Sequence, residues 1–250
     1  MNLCIDIGNT RTKIGVFQGT QLLEKVTVPT VSETDIRALL EKYSFEGAIW
    51  SNVAGAKDLR NYFSGVSFPA LELNHNTPMP IISQYSTPET LGLDRLAAVA
   101  GARVLYPGTN CLVIDLGTCV KYEVLNKNGV YLGGNIAPGA AMRIKAMNYF
   151  TARLPEVEMK IPVSPIGNST ETALQNGALL GVLLEMKGYI ELIQATFPGT
   201  KVILSGGDAS FFAGQPALGS ATVQPDLNLY GLNSILNYNQ SVLTDNSTPT

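Results

Sequence analysis

Apolar positions between residues 3 and 28 come in three short runs separated by Gly8-Asn9-Thr10 and Gln18-Gly19-Thr20, which predicts three consecutive antiparallel strands joined by tight turns. From 32 to 43 the period lengthens, so that Ile36, Leu39, Leu40 and Tyr43 share one helical face and Ser32 is placed to cap it. Residues 47–53 read as a buried strand and 57–63 as a second helix, an order of βββαβα. A similar order restarts at Asn110. Runs 111–115, 120–125 and 130–136 predict three strands, and a helix begins at Ala140. A long helical stretch then covers 170–196, and the strand 201–205 ends in a Gly-Gly turn. Residues 239–250, dominated by Asn, Gln, Ser, Thr, Asp and Pro, are expected to form a mobile tail outside the core.

Three-strand patterns recur by chance, but here matching positions also carry matching chemistry. Asp6-Ile7-Gly8-Asn9-Thr10 ends the first strand of one half, and Asp115-Leu116-Gly117-Thr118 ends the first strand of the other. Each has the form Asp-apolar-Gly-polar. Such a turn either terminates a strand or binds phosphate: glycine lets the main chain approach the anion, and Thr or Asn donates to its oxygens. The Asp6 carboxylate can hold magnesium directly or through water. Arg11 and Lys13 add cations that alternation places on one face of the first hairpin. A third turn, Leu204-Ser205-Gly206-Gly207-Asp208, fits either an adenosine-binding turn or a simple strand-to-helix connection. The sequence contains neither a Gly-x4-Gly-Lys-Ser/Thr loop nor a Gly-x-Gly-x-x-Gly fingerprint after a strand.

Composition narrows the class of ligand. With 250 residues, 45% hydrophobic and 15% charged, the chain can bury a substantial core. A net charge of −3 offers no broad attraction to nucleic acid or anionic membranes, so small-molecule chemistry is the better expectation. The start of the chain lacks the pattern of a signal peptide, and apolar stretches such as 179–184 are far short of the ~20 residues that span a bilayer. A cytoplasmic protein is expected. Cys4, Cys111, Cys119 and the single His75 lack the spacing of a zinc site.

Taken in order, Asp6-Ile7-Gly8-Asn9-Thr10, Leu91-Gly92-Leu93-Asp94-Arg95, the turn at Asp115 to Thr118, and Gly133-Gly134-Asn135-Ile136-Ala137-Pro138-Gly139 resemble the motifs of type III pantothenate kinases. The resemblance implies an α/β fold of the actin, hexokinase and acetate kinase superfamily. Its two ribonuclease H-like βββαβα halves, expected at 1–109 and 110–238, would leave a nucleotide cleft between them. It also implies ATP-dependent phosphorylation of pantothenate to 4′-phosphopantothenate, the first step toward coenzyme A, by a homodimer.

The same resemblance implies roles for individual residues. Asp94 would be the general base and Arg95 the partner of the pantothenate carboxylate, with Tyr85, Gly92, Leu93 and Thr170 lining the substrate pocket. Asp6, Ile7, Gly8, Asn9, Thr10, Arg11, Thr12 and Lys13 would hold the ATP phosphates together with Thr118, and Asp6 would hold magnesium through water. Asp115 would hold a potassium or ammonium ion. Here the chain departs from the family pattern, with Lys121 in place of a small hydroxyl residue and Glu123 in place of an aspartate. Either the Lys121 ammonium takes the place of the monovalent cation, or Lys121 points to solvent and the ion remains. Two rivals stand beside this reading: a Bvg accessory factor-like regulatory protein on the same scaffold, and another small-molecule kinase of the superfamily. The joint presence of Asp6, Asp94, Arg95 and Asp115 favours an active pantothenate kinase.

Overall fold

The computed structural model describes residues 1–52, 58–161 and 163–245. β1 (Asn2–Ile7), β2 (Thr12–Gln18) and β3 (Gln21–Val28) form the antiparallel meander that the spacing predicts. α1 (Glu33–Lys42) starts at a reciprocal cap, in which the Ser32 hydroxyl accepts from Asp35 N–H and the Asp35 carboxylate accepts from Ser32 N–H. β4 (Gly47–Asn52) then runs parallel to β1, and β5 (Ala70–Glu72) parallel to β4, giving the sheet order β3-β2-β1-β4-β5. Val53, expected to end β4, lies outside the described residues, as does Lys57.

The helix expected over 57–63 is a single 3-10 turn, Arg60–Phe63, among the described residues. One turn suffices to bury Leu59 and to stack Phe63 on Trp50 at 5.2 Å, and Gly65 with φ of +84° follows it. The chain continues through β6 (Ile82–Ser83) and α2 (Leu93–Leu105).

β7 (Cys111–Leu116), β8 (Cys119–Leu125) and β9 (Val130–Pro138) begin the second repeat, followed by α3 (Ala140–Tyr149). α4 (Thr170–Gln175) and α5 (Gly181–Thr196) are joined through a π turn, Asn176–Leu180, so the long helical stretch is present with a break in its regular hydrogen-bond ladder. β10 (Lys201–Ser205), α6 (Ala209–Phe212), β11 (Thr222–Val223) and α7 (Leu227–Asp245) complete the chain.

Within the second sheet the order β9-β8-β7-β10-β11 repeats β3-β2-β1-β4-β5, with β10 parallel to β7 as β4 is parallel to β1. β6 adds a sixth strand by pairing Ile82 and Ser83 with Val130 and Tyr131. The duplicated α/β architecture expected from the paired turns is therefore present in the strand order itself.

Alternation decides which way each aspartate faces. In β1, Leu3, Ile5 and Ile7 pack with Ile36 and Trp50, while Cys4 packs on the opposite face with Ile49 and Leu232. Asp6 takes the Cys4 side. In β7, Leu112, Ile114 and Leu116 enter the core with Val182, Met186 and Phe212, which leaves Asp115 on the other face.

The chain divides into two compact units, one made of 1–108, 125–132 and 226 onward, the other of 109–124 and 133–225. The C-terminal boundary thus differs from the expected one at 238. α7 packs Leu229, Leu232, Ile235 and Leu236 against Ala97 and Ala100 of α2 and the first sheet. Residues 239–245 continue this helix instead of forming a tail, with Asn239 donating to Pro78 O at 2.9 Å and Gln240 to Glu46 O at 3.1 Å. Residues 246–250 of the expected tail lie outside the described residues. Among those described, no helix is long and apolar enough to cross a membrane.

Candidate functional site

The first unit carries two of the expected constellations. Asp6 lies one residue before the end of β1, in register with Lys13 on β2 and Ser51 on β4. Ile7 and Thr12 are buried at the neck of the hairpin, where Gly8 N–H donates to Arg11 O at 3.1 Å. Asn9, Thr10 and Arg11 are left exposed at the tip. An amide, a hydroxyl and a guanidinium on a constrained turn are suitable donors for phosphate oxygens.

Asp6 is 9% exposed, and its carboxylate accepts a hydrogen bond from Asn228 Nδ2 at 3.1 Å. Asn228 belongs to the first turn of α7. Lys13 lies 4.0 Å from Asp226, which also pairs with Lys25 at 2.9 Å. Among the described residues no cluster of three or more metal-binding side chains forms, and Asp6 offers a carboxylate oxygen donor near the end of β1. That donor set fits magnesium held mainly through water.

The second constellation sits at the start of α2. Asp94 is half-buried and its Oδ1 accepts from Arg95 N–H at 2.9 Å, folding the carboxylate back onto the helix N-terminus. A Cβ on Gly92 would come within 2.6 Å of that oxygen, so a larger residue there would push the carboxylate from its present position. Leu93 opens the helix between them.

Arg95 is 4% exposed, and a buried guanidinium needs hydrogen-bond partners. It donates through Nη2 to the Tyr131 hydroxyl at 3.0 Å and through Nη1 to the Tyr85 hydroxyl at 3.4 Å, and its Cζ lies 5.3 Å from the Tyr85 ring centre. The Tyr85 and Tyr131 rings are themselves parallel, 6.2 Å apart. Arg95 and Tyr85 are thus brought together as expected, and Tyr131 joins them without having been marked in the sequence.

In the second unit Gly117-Thr118 joins β7 to β8, with Gly117 N–H donating to Cys119 O at 3.1 Å and Thr118 exposed. Gly139 N–H donates to Thr118 O at 3.1 Å, and a Cβ on Gly139 would lie 2.1 Å from Gly117 O. The last glycine of the Pro-Gly motif therefore lets the end of β9 seat against the turn. Lys121 Nζ lies 2.7 Å from Asp115 Oδ2, with the two side chains only 18% and 15% exposed. Glu123, the other departure, is fully buried.

Asp208 follows the Gly206-Gly207 turn, and its N–H donates to Leu116 O at 3.0 Å. Burial, and then the negative charge of Asp115, hold its carboxyl above the ordinary aspartate range. Thr170 is the exposed first residue of α4, whose cap is Ser169.

Asn228 and Tyr131 are the residues that sequence reasoning misses. Their partners Asp6 and Arg95 lie 222 and 36 positions away, and neither residue belongs to a recurring motif.

The type III pantothenate kinase family model matches residues 2–192. A type III pantothenate kinase from Phocaeicola vulgatus is 42% identical over 244 residues, covering 97% of this chain and 100% of that protein. One from Christiangramia forsetii is 39% identical over 244 residues, covering 96% and 100%. Among solved structures, a Campylobacter jejuni protein assigned to the Baf family of transcriptional activators aligns with a TM-score of 0.60 at 22% identity, covering 96% and 99% of the two chains. The ROK hexokinase from Thermus thermophilus aligns with a TM-score of 0.54 at 16% identity, covering 94% and 98%. At these identities the two structures speak for the shared fold alone, the actin and hexokinase-like architecture. The family match over most of the chain and the end-to-end relatives identify it: this protein belongs to the type III pantothenate kinase family.

Proposed function

We propose that the protein transfers the γ-phosphoryl group of ATP to the primary hydroxyl of pantothenate, forming 4′-phosphopantothenate and ADP at the first step of coenzyme A synthesis. The observation that carries this reading is the Asp94–Arg95 pair at the start of α2, a half-buried carboxylate beside a buried guanidinium held by two tyrosine hydroxyls. Asp94 accepts the proton of the attacking hydroxyl. The alcohol oxygen forms a bond to the γ-phosphorus as the bond to the bridging oxygen breaks, and ADP leaves with that electron pair. Arg95 binds the pantothenate carboxylate through paired donors, with Tyr85, Gly92 and Leu93 lining the pocket.

On the first unit, Asp6, Ile7, Gly8, Asn9, Thr10, Arg11, Thr12 and Lys13 cradle the ATP phosphates. Asp6 holds magnesium through water, oriented by Asn228. When bound, the ion offsets negative charge on the phosphates. A monovalent cation on Asp115 fits less well, because the Lys121 ammonium already takes one carboxylate oxygen.

The active form is a homodimer acting in the cytoplasm on small molecules, with neither nucleic acid nor membrane as partner. The exposed apolar side chains of Tyr149 and Phe150, each 80% exposed, and Ile166, 79% exposed, support pairing with a second copy. Light scattering on the eluted protein would read a dimer mass, whereas a monomer at working concentration would remove that element. The catalytic assignment is tested by ADP release with ATP, magnesium and pantothenate beside Asp94→Asn. Pantothenate-dependent turnover that collapses in the variant supports the base, and an unchanged rate in the variant assigns proton removal elsewhere.

A further inference from the structure

Lys121 and Asp115 form a close ion pair in a largely enclosed setting, on neighbouring strands of the second sheet. The pair is not alone. Asp208 enters the same neighbourhood from the Gly206-Gly207 turn, held by its N–H bond to Leu116 O, the carbonyl of the residue that follows Asp115. Asp208 is thus close enough to Asp115 for the charge of one carboxylate to act on the other, while the ammonium pairs with Asp115. Two like charges in a partly dehydrated site repel, and the lysine supplies the counter-charge of Asp115 itself. A dissolved potassium ion serving Asp115 would have to exchange most of its water for oxygen ligands, yet Oδ2 of Asp115 is taken by Nζ at 2.7 Å.

We propose that Lys121 is a tethered cation for Asp115, so that this protein works without a dissolved monovalent cation. Removing the lysine then converts the turn into a site that must recruit one. The ammonium supplies a fixed positive charge beside the turn that carries Thr118, and it does so at no cost in ion binding. Only the activity arm of the test rests on the pantothenate kinase reading; the binding arm does not.

Three proteins decide the matter: the unaltered chain, Lys121→Ala, which opens space for an ion, and Lys121→Met, which removes the charge while filling that space. Pantothenate-dependent ADP release is measured in choline chloride and in potassium or ammonium chloride at equal ionic strength. Melting temperatures are recorded in the same salts. The unaltered protein is expected to run equally fast and melt at the same temperature in all of them. Lys121→Ala is expected to lose about 10- to 100-fold in rate in choline, to recover in potassium or ammonium, and to melt higher in those salts. Lys121→Met is expected to lose rate without recovery. Many-fold potassium stimulation of the unaltered protein overturns the proposal, as does a Lys121→Ala protein indifferent to potassium in both rate and melting. If the unaltered protein releases no pantothenate-dependent ADP in any salt, the functional reading fails and the melting comparison alone decides the role of Lys121.

Discussion

The buried guanidinium of Arg95 donates to the hydroxyl of Tyr131 at 3.0 Å, across 36 positions of sequence. This contact holds one side of the fork while Tyr85 meets the other. Tyr131→Phe deletes the acceptor and keeps the ring that stacks on Tyr85. Removing a hydrogen bond to a charged group costs about 1.5–3 kcal/mol, or roughly tenfold or more in binding. The expected result is a raised KM for pantothenate with kcat little changed, because the proposed base, Asp94, is untouched. A fall in kcat at unchanged KM would assign Tyr131 to the chemical step instead.

Gly92 admits the Asp94 carboxylate to the helix start. In Gly92→Ala the new methyl would lie 2.6 Å from Asp94 Oδ1, so the acid must rotate away from the position it now holds. We expect kcat to fall at least tenfold while the melting temperature shifts by only a few degrees, since misplacing a catalytic group by about 1 Å can cost on the order of a hundredfold in rate. Steady-state kinetics alongside thermal unfolding separates this from general destabilisation.

Asn228 orients the Asp6 carboxylate through a 3.1 Å hydrogen bond. Asn228→Ala is expected to raise the magnesium concentration needed for half-maximal rate, by about tenfold, with the KM for pantothenate unaltered. Calorimetric titration with MgADP should weaken in parallel. An unchanged magnesium requirement would reduce the contact to packing of α7.

Asp208 predicts a pH dependence with a definite sign. Its folded-state pKa lies above the ordinary aspartate value of 3.8, so the folded protein binds this proton more tightly than the unfolded chain does. Its contribution is fully present below about 3.8, the unfolded value, and is lost as pH rises through the raised folded value. At neutral pH the ionised carboxylate is therefore a burden. Asp208→Asn should be more stable than the unaltered protein near neutrality, and the difference should shrink on acidification. Denaturant unfolding from acid to neutral pH reads this directly; a gap that widens toward acid contradicts it.

Alternation and turn spacing made the repeated meanders legible, and with them the matched positions of Asp6 and Asp115. The roles of Gly92, Asp94 and Arg95 came only with the family resemblance, because an acid and an arginine side by side at a helix start are otherwise an ordinary arrangement. Tyr131 was not legible, since its position in β9 resembles any buried aromatic in a strand. Asn228 and the helix that carries it were hidden by composition. A segment rich in Asn and Gln reads as solvent-loving, yet these amides face the first unit: Asn233 and Asn237 both accept from Asn2 Nδ2, at 2.8 and 2.6 Å. Where the sequence predicts a helix over 57–63, the described residues form the 3-10 turn Arg60–Phe63, because one turn already buries Leu59 and Phe63.

The central claim is that phosphate from ATP ends on the primary hydroxyl of pantothenate. The most direct measurement is the mass and phosphorus NMR spectrum of the product formed from the purified protein, ATP, magnesium and pantothenate. The account predicts pantothenate carrying one added phosphate, with phosphorus coupled to the protons of its primary carbinol carbon and ADP formed in equal amount. ADP appearing with pantothenate unmodified, or phosphate on the secondary hydroxyl or the carboxylate, would contradict it.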